Sequence, residues 1–151
     1  MNKYELTDET KVFYGVTLHR IRALTAVGVL AAAGQLGGWV ESEKNLEQSG
    51  DAWVYGNAQV SGDAWVSKTR HYLTVGPIGS EDRTVTICRT KTYGTTGHYI
   101  NAGCWTGTVD QLAERVASAW PDLSEKKRTR YRAEYEAVIA LARPRIERWV
   151  K

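Results

Sequence analysis

The sequence predicts a mixed β and α chain, with a short left-handed parallel β-helix of about two coils followed by a three-stranded antiparallel meander with two to three helices. Three observations carry that expectation. From Gly50 the chain reads GDAWVY, GNAQVS, GDAWVS, three tandem hexads. Beyond them, HYLTVGPIGSEDRTVTICRTKTYGTTGHYINAGCW holds three stretches of alternating character separated by turn-rich breaks. After that, apolar residues recur at helical spacing.

In the hexads Ala52, Ala58 and Ala64 recur every six residues, as do Val54, Val60 and Val66. Gly followed by Asp or Asn at the start of each unit marks a corner between short strands. Ala and Val stand two apart, so both point to one face, and the residue between them points to the other. The alanines and valines are expected inside, with Trp53 and Trp65 outside. Three hexads make one turn of a triangular prism, so residues 18 apart should stack: Leu36 beneath Val54, Val40 beneath Ala58 and Leu46 beneath Ala64. The run GQLGGWVESEKNLEQS reads as an earlier, less regular coil.

These units resemble the hexapeptide repeats of left-handed parallel β-helix proteins. The stretch LGGWVESEKNLEQSGDAWVYGNAQVSGDAWV is similar to small hexapeptide-repeat proteins of bacteriophages and prophages, over roughly residues 16 to 67. YLTVGPIGS followed by AGCWTGTVDQL resembles the second half of such proteins. The resemblance implies a mobile-element binding protein, for example a counter-defence inhibitor that occupies a host immune component. The best-known relatives are acyltransferases that use a histidine and a pantetheine channel between coils of neighbouring subunits in a trimer. This chain departs from them, with only about two coils and none of its three histidines inside a complete repeat.

After Val66 the composition changes, which divides the chain into residues 1–67, an N-terminal segment with the repeats, and residues 68–151, a basic α+β module. In the meander Val85 and Ile87 are expected on one side and Thr84, Thr86 and Cys88 on the other, with Ile100, Ala102 and Cys104 sharing a side in the third strand. One face is then free for a helix. Thr108 with Gln111 fits a capping box, and Leu112, Val116 and Trp120 follow at helical spacing before Pro121. A second helix begins near Ser124 and carries Tyr131, Tyr135, Val138 and Ala142 as its apolar stripe. Pro144 is expected to bend or break it, with PRIERWVK resuming as a short helix that offers Trp149 for docking.

Composition narrows the function. With 151 residues, 42% hydrophobic and 25% charged, the chain has material for one domain or two small ones and is not disordered throughout. No apolar run approaches the roughly 18 residues of a bilayer span, and MNKYELTDETK has acids where a secretory signal needs apolar residues. A cytoplasmic location without a membrane partner is expected, in the host cytoplasm if the chain is phage-encoded. Cys88 and Cys104 fall in neighbouring strands, so a disulfide is conceivable, but a reducing cytoplasm favours free thiols.

No paired Cys and His spacing, P-loop or dinucleotide fingerprint is present. Neither a cofactor nor a catalytic centre is therefore expected. His71 stands alone without an orienting partner, so a structural or binding role fits it better than general-base work.

Charge points to an acidic partner. Residues 1–67 carry −3 and residues 68–151 carry +6. Arg70, His71, Arg83, Arg89, Lys91, Lys126 and Arg130 are the candidate binding residues, for a nucleic acid, a nucleotide or an acidic protein surface; a host protein or protein–nucleic acid complex fits the same chemistry. Trp39, Trp53 and Trp65, exposed on a prism with open ends, would need cover, so a homo-oligomer is expected through them. A structural, self-assembling protein is the alternative reading, with a hexapeptide acyltransferase behind it.

Overall fold

The computed structural model describes residues 1–93, 96–103 and 105–150. It opens on a hairpin that the repeat pattern does not announce. Strands β1 (Tyr4–Phe13) and β2 (Val16–Ala23) pair antiparallel and close on Phe13 opposite Val16. The two residues between them, Tyr14 and Gly15, take φ of +50° and +82°. Positive φ at both central residues is the turn whose twist matches paired strands. Strand β3 (Leu36–Val40) adds antiparallel to β2, and the two-residue β4 (Gln59–Val60) adds parallel to β3, giving the order β1-β2-β3-β4.

The left-handed β-helix is therefore corrected to a mainly antiparallel sheet. Among the described residues, parallel pairing joins Trp39 with Gln59 and Val40 with Val60, with an isolated bridge between Leu46 and Val66. The offset in these pairs is 20 residues, so the expected 18-residue stacks do not form. The physical reason lies in the neighbours. On one side β3 is already paired to β2; on the other, the last hexad meets the second sheet antiparallel, Ala64 bridging Thr90. No further parallel coil has an open ladder to join.

The inward pattern of the hexads is nevertheless real. Ala52, Val54, Ala58, Val60, Ala64 and Val66 are all buried, and Tyr4, Ile21, Val40 and Leu46 join them in one core. Trp53 corrects the outward assignment, because it is wholly buried in that same core. Its indole lies against Gly37, where a Cβ would come within 2.7 Å of the ring. Only a residue without a side chain at position 37 leaves space for it.

The second sheet has four strands where three were expected: β5 (Tyr72–Ile78), β6 (Arg83–Tyr93), β7 (Thr96–Ala102) and the short β8 (Trp105–Gly107), antiparallel in that order. Val85, Ile87, Ile100 and Ala102 face the helices, whereas Tyr72 and Cys88 join the core of the repeats. Both faces of this sheet are thus covered. Polar bonds stitch the second contact: Tyr99 donates to Ser61 O at 3.0 Å, and Gln59 N donates to Thr86 Oγ1 at 3.2 Å. Cys88 is a buried free thiol, pushed up to about 12 by desolvation. Cys104 lies outside the described residues.

Helix α1 (Val109–Ala117) starts at the capping box of Thr108 and Gln111. It stops before Trp120, which sits beyond the helix end at φ +57°. Helix α2 (Glu125–Trp149) begins at Ser124, whose hydroxyl accepts from Lys127 N. It runs through Pro144 without breaking. Pro144 and Ala140 are both exposed, so water can take the carbonyl that the missing N–H leaves free, while Ala142 and Ile146 on the opposite side stay buried. Among the described residues no helix is long and apolar enough to cross a membrane.

Candidate functional site

The predicted binding residues separate into three places. Four of them gather at the waist where the repeats meet the second sheet. Arg89 Nε donates to Trp65 O at 3.1 Å, Arg89 Nη2 donates to Ser67 Oγ at 3.0 Å, and the guanidinium lies 4.2 Å from the centre of the Trp65 ring. Lys91 Nζ is 5.1 Å from the same ring. Such contacts are attractive because the face of an indole is electron-rich. Trp65 Nε1 in turn donates to Glu47 Oε2 at 3.1 Å.

His71 and Arg70 belong to a single 3-10 turn, Thr69–His71, directly after the last hexad. Nδ1 of His71 accepts from Ser67 N at 3.2 Å and from Lys68 N at 3.1 Å, so the ring closes the turn as a neutral acceptor. Burial lowers its pKa to about 4, helped by Arg89 and Lys68. Trp149 Nε1 donates to Arg70 O at 2.9 Å and Arg145 Nη1 to Tyr72 O at 3.1 Å, which docks the end of α2 on this turn. Lys68, Arg70 and Lys91 are exposed. Glu47, which accepts from Trp65 Nε1, brings a carboxylate to the same place, and Asp63 O accepts from Lys91 N.

Arg83 is elsewhere, at the opposite end of β6. Its Nε and Nη2 are engaged by Glu81, and Nη1 donates to Ala102 O at 3.2 Å. Lys126 and Arg130 are exposed on the first turns of α2, and among the described residues no hydrogen bond or ion pair joins them to Arg83 or to the waist. Their neighbours bind the chain itself: Arg128 Nη1 donates to Pro121 O and Arg132 Nη2 to Ala119 O. The seven residues therefore do not form one patch. The tryptophans expected at an oligomer interface also divide. Trp53 is buried, Trp65 lies under Arg89 and Lys91, and Trp39 has Lys11 Nζ 4.3 Å from its ring centre.

Sequence reasoning missed two features. His98 Nε2 accepts from Val109 N at 3.0 Å while Nδ1 lies 3.0 Å from Thr96 O, so a neutral ring caps the start of α1. Burial lowers its pKa. The second is a cleft of about 340 Å³ at the Arg83 end of the sheet, lined in part by Trp105, Trp120, Tyr135, Arg115, Arg83 and Glu81. Trp120 and Pro121 in sequence mark only a helix end, and nothing local shows that Trp105 faces them across the fold.

Among the described residues, no group of three or more His, Cys, Asp or Glu side chains could hold a metal ion. No protein-family model matches the chain, and no curated protein matches it.

Proposed function

We propose that this chain is a non-catalytic binding protein whose waist, around Trp65 and the 69–71 turn, meets the phosphate backbone of a nucleic acid. The observation that supports this reading is the gathering of Lys68, Arg70, Arg89 and Lys91 from two elements, with Arg89 held in place by Trp65 and Ser67. A fixed guanidinium with exposed lysines around it suits phosphate oxygens, and the stacked cations leave the Trp65 face unavailable to a base. Recognition is then by backbone charge and not by sequence. In the mobile-element setting that the repeats imply, the surface would occupy a host protein–nucleic acid complex from its nucleic-acid side. The acyltransferase reading loses the stacked coils on which it depended.

The test is fluorescence anisotropy with a labelled 20-nucleotide oligo-dT across a salt series. Four phosphate contacts at roughly 0.7 each predict an affinity loss of about 50-fold between 50 and 200 mM salt. Reversing Lys68, Arg70 and Lys91 together to Glu should abolish binding. Unchanged affinity in that triple variant, or no binding at 50 mM salt, would refute the proposal.

A further inference from the structure

The cleft beside Arg83 carries a separate inference. Its walls are aromatic: Trp105 from β8, Trp120 from the link between the helices, and Tyr135 from α2. Its base is apolar, with Ala102, Leu112 and Val116. Trp120 is fixed at this wall by three contacts. Its Nε1 donates to Ser80 Oγ at 2.7 Å, and its ring centre lies 5.6 Å from that of Tyr131 and 5.8 Å from that of Tyr135. The left-handed backbone at Trp120, φ +57°, is one that a bulky residue rarely adopts, and here it aims the indole back at the cleft.

The charges of the cleft do not cancel. Arg83 and Glu81 neutralise one another, and the third hydrogen-bonding nitrogen of Arg83 is taken by Ala102 O. Among the described residues Arg115 has no such partner. It is exposed, its guanidinium lies 5.9 Å from the Trp105 ring centre, and it makes no side-chain hydrogen bond or ion pair among the described residues. Among the described residues the cleft thus offers aromatic walls and one unpaired planar cation at its edge. Its 340 Å³ lies at the small end of ligand sites, which suits one or two fused rings. A lone guanidinium matches a carboxylate in the plane of such a ring system through two parallel hydrogen bonds.

We infer that the cleft binds a planar aromatic carboxylate, with its rings against Trp105 and Trp120 and its carboxylate on Arg115. This site is independent of the waist and of any nucleic acid there. Calorimetric titration of the full chain with 2-naphthoate, 2-naphthylmethanol and adenosine monophosphate separates the possibilities. For a ligand of this size a Kd on the order of 1 mM or tighter is expected for the carboxylate. The neutral alcohol should bind at least tenfold more weakly. Arg115→Gln, a change at an exposed position, should erase that preference and leave thermal unfolding unchanged, while Trp105→Leu should weaken both ligands. Equal binding of the acid and the alcohol by the parent chain would overturn the inference, as would a preference that survives Arg115→Gln. Tighter binding of the nucleotide than of 2-naphthoate would also overturn it, by giving the guanidinium to phosphate.

Discussion

The two cores of the molecule, one on each face of the second sheet, are built by different means. In the first, strand β3 and the repeats approach so closely that no side chain fits between them. A Cβ at Gly37 would stand 2.6 Å from Val54 O and 2.8 Å from Ile21 Cγ1, and a Cβ at Gly38 would stand 2.6 Å from Val54 Cγ1. Buried side chains there bond to main-chain oxygens: Asn45 Nδ2 to Ala64 O at 3.0 Å, Tyr4 Oη to Leu46 O at 2.6 Å, Lys3 Nζ to Ala52 O at 2.6 Å. On the other face, helices lay Leu112, Val116, Val138, Ile139 and Ala142 against Val85, Ile87 and Ile100. The first core is set by small residues and backbone acceptors, so added atoms harm it most. The second is set by side-chain volume, so removed atoms harm it most.

The sharpest way to break this contrast is Gly37→Ala. One methyl group collides with backbone, a side chain and the Trp53 ring, none of which can swing away, so a loss above about 4 kcal/mol is expected. Hydrogen exchange should show protection vanishing over residues 36–66 before it vanishes in α2. Retention of the parental midpoint would mean that the repeats pack far more loosely than their glycines indicate. In the second core, Leu112→Ala removes a side chain that is 2% exposed and should cost about 2–4 kcal/mol. That is roughly 2–4 °C of Tm per kcal/mol in a chain of this length. A cost below about 1 kcal/mol would erase the difference between the faces.

A pH series sharpens the comparison further, because one neutral histidine serves each side. His71 and His98 both have pKa values lowered by burial, the former to about 4, against an ordinary value of 6.5. Between those limits the unfolded chain takes up protons that the folded chain refuses. Stability is therefore fully present above pH 6.5 and declines as pH falls toward 4. His71→Asn should flatten part of that slope, and adding His98→Gln should flatten more; an unaltered slope in the double variant would place the acid sensitivity in carboxylates. The smallest expected effect is Thr108→Ala. It deletes the hydroxyl that accepts from Gln111 N at 3.2 Å and should cost about 1 kcal/mol by thermal denaturation. No change at all would mean that His98 alone holds the start of α1.

Several elements were readable from local signals. The Ala and Val positions of the hexads are buried, the box at Thr108 and the cap at Ser124 start their helices, and Val85 with Ile87 faces the helices as alternation requires. The hairpin β1–β2 was not read, although Tyr14-Gly15 is a two-residue turn between runs that could pair. Its register is irregular between Leu6 and Thr10, and β2 is irregular again between Arg20 and Arg22 where it pairs with β3, which shifts the apolar positions from Leu18 to Ile21. At the waist, Lys91, Arg89 and His71 were visible as residue types, but their convergence on Trp65 and the last hexad spans a turn and a strand that only pairing brings back.

What this sequence determined by itself is what a few neighbouring residues can enforce. Glycines with Asp or Asn bend the chain, residues two apart share a face, and hydroxyls ahead of apolar periodicity begin helices. Those rules act within a handful of residues and hold in any context that buries the apolar side. The tertiary structure decided which strand edge met which. Whether the repeats extend as a parallel ladder or end against β6 depends on competition for the same backbone donors and acceptors, and Trp65 N pairs with Arg89 O across 24 residues. The same long-range choice placed Trp53 inside, drew Lys91 and Arg89 onto Trp65, and left Trp105 and Trp120 on opposite elements around one cleft. A backbone group can satisfy only one ladder at a time, and no local pattern states which one it joins.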